Sequence, residues 1–160
     1  MREWIFAHEP MLRLGTFLGV FTVMALWELI ASRRELSQSR GKRWFANIGI
    51  LVVGSIVVRI LFPAAAVGLA MLAESEGWGL FNRVELPYVI SLVLSVLLLD
   101  LAIYLQHIMF HAVPALWRLH MVHHSDQDFD LTTGIRFHPI EIVLSIVIKF
   151  TVIVALGPLP

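Results

Sequence analysis

Cysteine is absent from this chain, which removes disulfides, thiolate zinc sites and cysteine nucleophiles together. Charge is scarce. Asp, Glu, Lys and Arg make up 15% of the 160 residues and cancel to a formal net charge of zero. No basic stripe with interleaved aromatics occurs, so nucleic acid is not an expected partner. Internal repeats, low-complexity tracts and linkers are missing too, and the sequence reads as one domain, residues 1–160. What remains is apolar: 58% of the residues are hydrophobic and the mean hydropathy is +0.81. That is far more than one small soluble core could bury, and a bilayer is the natural solvent.

Runs of about twenty apolar residues occur at Met11–Ala31, Phe45–Leu72 and Tyr88–Phe110, and a fourth begins at Ile142. The first is too long for a cleaved signal peptide, and it ends in Glu28-Leu29-Ile30-Ala31-Ser32-Arg33-Arg34 rather than in a small-residue cleavage site. The expected fold class is therefore all-α: a polytopic membrane helical bundle with about four transmembrane helices and a cytoplasmic histidine-rich segment. Arg33, Arg34, Arg40, Lys42 and Arg43 follow the first span, against Arg83 after the second. By the positive-inside rule the first loop is cytoplasmic, and the third span carries His107 and His111 to that side. With no organelle signal visible, a bacterial inner membrane is expected. The fourth span has barely the length to cross before Gly157-Pro158-Leu159-Pro160, so a C-terminally truncated domain is expected. Arg59 and Lys149 fall within spans. A bond to a carbonyl or snorkelling toward an interface is the expectation for Arg59, and snorkelling for Lys149.

Six of the seven histidines lie between His107 and His138. Asp100, Tyr104, His107 and His111 are spaced by four, three and four residues, which makes one polar stripe on an apolar helix. His107 and His111, one turn apart, can direct two imidazoles into the same small volume. Asp100 and Tyr104 are candidates for orienting those rings. After a break at Val113-Pro114, His120, His123 and His124 share a second helical face, followed by the acidic, turn-forming stretch Ser125–Asp130. His138 precedes a proline and is expected in an extended or turn conformation. Metal binding by His107, His111, His120, His123, His124 and His138 is the expected use of this group. A zincin site needs HExxH, and position 108 is Ile. A bis-histidine haem takes axial ligands from opposite faces. A proton relay stays open as an alternative, although it does not need so many adjacent rings.

These residues resemble the fatty acid hydroxylase and sterol desaturase superfamily of membrane oxygenases. The likeness runs from Trp27-Glu28 through Arg43-Trp44-Phe45-Ala46-Asn47 and Val58–Pro63. It is strongest in Asp100–His111, Leu116–Ser125 and Arg136–Glu141. Ile108 departs from the arginine usual after the first histidine, and the family's third histidine box has no counterpart among these residues. The resemblance implies two irons held mainly by neutral imidazole, dioxygen as oxidant, a lipid substrate entering from the bilayer, and an electron-donor protein. Hydroxylation and desaturation both remain open. Arg118 or Arg136 is a candidate for holding a headgroup or an acidic patch of the donor. The alternative is a truncated, catalytically inactive metal-binding membrane protein that lacks the last box.

Overall fold

The computed structural model describes residues 2–32, 35–63, 66–84 and 86–158. Arg33 and Arg34 of the basic loop, and the terminal Leu159-Pro160, lie outside the described residues. Every element among them is helical: α1 (Arg2–Ile30), α2 (Arg40–Leu61), α3 (Ala66–Ser75), α4 (Tyr88–Ala112), α5 (Pro114–His124), a 3-10 turn (Leu131–Ile135) and α6 (Pro139–Leu156).

Four stretches are long and apolar enough to cross a membrane: Ala7–Ile30, Arg40–Ser75, Tyr88–Ala112 and Pro139–Leu156. Large apolar side chains stand exposed along them, including Leu18, Val23, Ile56, Val93 and Leu97. Such a surface is stable only under lipid, where helices satisfy their own backbone. The chain is a membrane protein.

The second span differs from the single helix expected at Phe45–Leu72. It is broken into α2 and α3 at Phe62-Pro63. Proline brings no N–H and its ring disfavours helical dihedrals in the residue before it; Phe62 accordingly sits at φ −129°, ψ 76°. The fourth span starts earlier than expected, at Pro139. There the His138 Nδ1 accepts the Ile140 N–H (3.2 Å) as an N-cap, and proline fills the first helical position without wasting a donor.

Helix α6 is the axis of the bundle and packs against α2, α3, α4 and α5. Gly54 of α2 permits a close approach, because a Cβ there would lie 2.5 Å from Ile142 Cδ1. Phe62 meets Phe150 edge-on at 5.5 Å, and Gln106 of α4 donates to Ser145 Oγ at 2.5 Å. At the far end, Leu80 and Phe81 donate their N–H groups to the orphan carbonyls of Ala155 and Leu156 (3.0 and 2.7 Å). Gly79, at φ 89°, lies against the backbone of Gly157.

At the histidine end, polar side chains tie the loop after α5 to α2. Arg43, 6% exposed, donates to Asp126 through Nε and Nη2 (2.8 Å each). It also reaches the Asp128 carbonyl. Its Nη1 pairs with Asp130 at 2.9 Å, close enough for an ion pair although not aligned as a hydrogen bond. Asn47 donates to Asp126 and Thr132 (3.1 and 2.9 Å), and Thr133 Oγ1 donates to Asp126 (2.7 Å). The stretch expected as a polar turn is thus a buried clamp. Glu28 at the end of α1 joins it by accepting the Leu131 N–H.

Removing one partner of a buried ion pair strands the other, so Asp126→Ala is expected to cost about 3–5 kcal/mol, read as a drop in thermal midpoint in detergent. The Arg43 guanidinium, with Thr133 and Asn47, holds the Asp126 carboxyl well below the usual carboxylate range. A depressed pKa stabilises only above the unfolded value of about 3.9, so the gap between wild type and variant stays constant from pH 7 to 5 and closes only below that value. Gly79→Ala is expected to lower the midpoint as well, by roughly 1–3 kcal/mol of strain at a positive φ, since its new methyl meets the Gly157 backbone; an unchanged midpoint would contradict the close approach.

Candidate metal centre

Val113, extended at φ −96°, ψ 118°, and Pro114 as the first residue of α5 turn the chain back on itself after α4. That turn folds the second histidine group over the first. Ring centroids of His107 and His111 are 4.7 Å apart, and His120 lies 4.8 Å from each. Candidate ligand atoms of these three all fall within 4.8 Å of one another. His124 stands 4.9 Å from both His111 and His120, with its Nε2 3.3 Å from the His120 Nε2. His123 is set further out, 5.5 Å from His120, and stacks on Phe137 at 4.7 Å.

Five of the six candidate ligands therefore form one cluster. His138 takes part in none of these ring contacts; its Nδ1 is committed to capping α6. Asp100 and Tyr104 are both exposed and make no hydrogen bond to a ring among the described residues. Ring orientation comes instead from Glu141, which the sequence reading quoted only as part of a motif. Its Oε1 accepts from the His120 Nδ1 at 2.7 Å, with both side chains at least 95% buried. With Glu141 ionised, the carboxylate accepts, the proton resides on Nδ1 and the His120 lone pair is left on Nε2, toward the other rings. His120 and Glu141 are 21 residues apart, on helices whose packing no local periodicity encodes. The usable clue was Pro139, which marks a helix start and puts Glu141 in its first turn.

Burial, and then the neighbouring rings, hold His120 and His124 below the ordinary imidazole range. Neutral imidazoles in this number suit a transition metal and repel no cation. Two buried atoms without a partner, the His123 Nδ1 and the Glu141 Oε2, are further donors held in reserve beside the cluster. The donor set fits a nitrogen-ligated metal. Trp117 covers one side, 5.2 Å from His111 and 5.4 Å from His124, while His107 and His111 remain exposed. Arg136, a candidate for a headgroup in the sequence reading, is instead absorbed by the Val122 carbonyl, Asn47 Oδ1 and Ser125 Oγ at 2.9–3.0 Å.

Residues 92–160 match the fatty acid hydroxylase family. The ornithine lipid hydroxylase OlsE of Rhizobium tropici is 28% identical over 152 residues, covering 90% of this chain and 45% of that protein. An alkylglycerol monooxygenase of Xenopus tropicalis is 29% identical over 118 residues, or 72% of this chain and 26% of that protein. The chain thus spans less than half the length of these relatives. No solved structure matches it. The family match lies across both histidine groups and the helix that carries Glu141, so this part of the chain is similar to the fatty acid hydroxylase family.

Proposed function

We propose that this chain is a single membrane domain of a di-iron lipid oxygenase, with His107, His111, His120, His123 and His124 as metal ligands and His138 as a peripheral one. The observation that carries the reading is the meeting of imidazoles from two helices at the end of a membrane span, one of them locked by a buried carboxylate. Both relatives are named for oxidation of lipids. Aliphatic C–H bonds are beyond acid–base chemistry, and bound iron with dioxygen supplies the oxidising power they need.

The chain's own residues have three tasks in this scheme. Glu141 holds the His120 ring in one tautomer and keeps its lone pair on the cluster side. Burial keeps water from the His120 ring, and Trp117 lies beside His111 and His124. On the other flank, exposed apolar side chains of α4 beside His107, such as Leu105 and Ile108, offer a lipid chain a lateral approach. Arg118, exposed and without a polar partner among the described residues, is the cation available to an acidic patch on an electron donor. The basic residues Arg40, Lys42 and Arg43 lie at the histidine end, which by the positive-inside rule faces the cytoplasm in this reading, with a bacterial inner membrane as the proposed location.

Metal analysis of the purified full-length protein tests the ligand assignment. About two irons per chain are expected, from the resemblance to the family. His120→Ala is expected to lower that number. Glu141→Gln, which removes only the orienting carboxylate, should weaken metal affinity roughly 10–100-fold while leaving the helical content unchanged by circular dichroism. Iron content equal to wild type in both variants would overturn the assignment. Full iron with no oxidation of any membrane lipid would favour the non-catalytic alternative.

A further inference from the structure

Where α1 finishes and α2 begins, a cavity of about 400 Å³ is lined by Trp27, Glu28, Ala31, Arg40 and Asp130, among others. No histidine borders it. Glu28 stands in the last turn of α1 and Arg40 is the first residue of α2, so the cavity opens at the limit of both apolar spans. Lipid headgroups lie at that level. Trp27, 65% exposed, is the residue type that marks it.

The charges around the cavity are not paired with one another. Asp130 is already committed, to Arg43 at 2.9 Å and to the Trp44 indole N–H at 3.1 Å. Arg40 has a buried Nε without a partner among the described residues, and its Nη2 makes a long contact of 3.5 Å to Ser32 Oγ. Both oxygens of Glu28 accept one and the same donor, the Leu131 N–H. That carboxylate therefore keeps unused lone pairs, with no ion pair to a cation among the described residues. A cation and a carboxylate that border one cavity without meeting are complementary to a guest that carries both charges. The N-cap of α2, Ser39, makes no side-chain cap, so the positive end of this helix adds to the cation at Arg40.

An apolar path leads from there into the membrane. A second cavity of about 390 Å³ shares Trp27 and Ala31 with the first and is walled by Val23, Leu26 and Ile30. From Ala31 back to Val23 it follows α1 for about 12 Å, at the helical rise per residue, away from the headgroups and toward the hydrocarbon.

We propose that this cavity seats the headgroup of a zwitterionic aminophospholipid of the phosphatidylethanolamine class, its phosphate at Arg40, its ammonium at Glu28 and an acyl chain along Val23, Leu26 and Ile30. Guanidinium and phosphate form charge-assisted hydrogen bonds, and a primary ammonium has N–H groups to donate to the free lone pairs of Glu28. A choline headgroup has no such donor, and a glycerol headgroup no such charge. The site does not depend on the histidine cluster or its metal.

The test is native mass spectrometry of the full chain after incubation in detergent with equal amounts of phosphatidylethanolamine, phosphatidylcholine and phosphatidylglycerol. Wild type is expected to retain phosphatidylethanolamine over the other two. Arg40→Gln should lower that retention roughly tenfold, the loss of one charge-assisted contact. Glu28→Gln keeps an oxygen for the Leu131 N–H and loses the charge, so it should turn the preference toward phosphatidylglycerol, which a merely structural role would not do. Circular dichroism and gel filtration check folding, and Arg40→Gln serves alone should Glu28→Gln fail to fold. Equal retention of the three lipids or a preference for phosphatidylglycerol by wild type overturns the proposal, as does unchanged retention and selectivity in the folded variants. Displacement of the lipid by millimolar glycerophosphoethanolamine overturns it also, by assigning the cavity to a soluble compound.

Discussion

The guanidinium of Arg43 is the point from which the histidine end is organised. It lies almost fully buried at the start of α2 and draws in Asp126, Asp130 and the Asp128 carbonyl from a loop more than 80 residues away. That loop begins where the last histidine of α5 ends. Without the clamp, α5 would be held against α4 chiefly by imidazoles that repel one another once protonated. With it, the chain after His124 is fixed to α2. The 3-10 turn is capped by Asp130, and α6 starts where its first turn brings Glu141 to His120. Three carboxylates and one arginine thereby do a job that an apolar core performs in a soluble domain, and they do it where the bilayer no longer covers the chain.

This division of labour follows from the solvent. Among lipid tails, apolar side chains gain nothing by facing inward, so the spans pack through small residues and single polar contacts such as Gly54 against Ile142 and Gln106 to Ser145. Specific geometry has to come from hydrogen bonds. The described part of the protein concentrates them in one layer, formed by the beginning of α2, the end of α5, the 3-10 turn and the beginning of α6. The histidine cluster is the inner edge of that layer.

How much of this was legible beforehand depended on the range of the interaction. Helix periodicity along α4 and α5 is local, so the stripe of His107 and His111 and the shared face of His120, His123 and His124 could be read directly. Val113-Pro114 announced the turn between them. Pro63 was noticed as well, but its consequence, two helices in place of one, was lost because hydropathy alone does not register a break. The outer partners were misplaced for the opposite reason. Asp100 and Tyr104 lie on the same stripe as the histidines, and helical spacing favoured them. Glu141 comes from another helix, brought there by the Arg43 clamp, and nothing in the spacing connects it with His120. Likewise Asp126 and Asp130 looked like turn residues because their counter-charge, Arg43, had been assigned to the basic loop.

The asymmetry of the cluster has a chemical consequence. His120 is buried and oriented by a carboxylate, whereas His107 and His111 are open on the side of α4 that carries exposed Leu105, Ile108 and Met109. In the proposed reading, a rigid ring on one flank and accessible rings on the other suit a catalytic site, since a structural metal site is closed on all sides. A substrate that is itself part of the bilayer needs no soluble entrance; it needs only an apolar wall leading to the open rings. Helix α4 carries such a wall in the same residues that make it a membrane span, so in the proposed reading substrate access and membrane insertion are one property of one helix. A polar substitution at Ile108 therefore cannot be assigned to access alone, because it alters the lipid-facing surface at the same time.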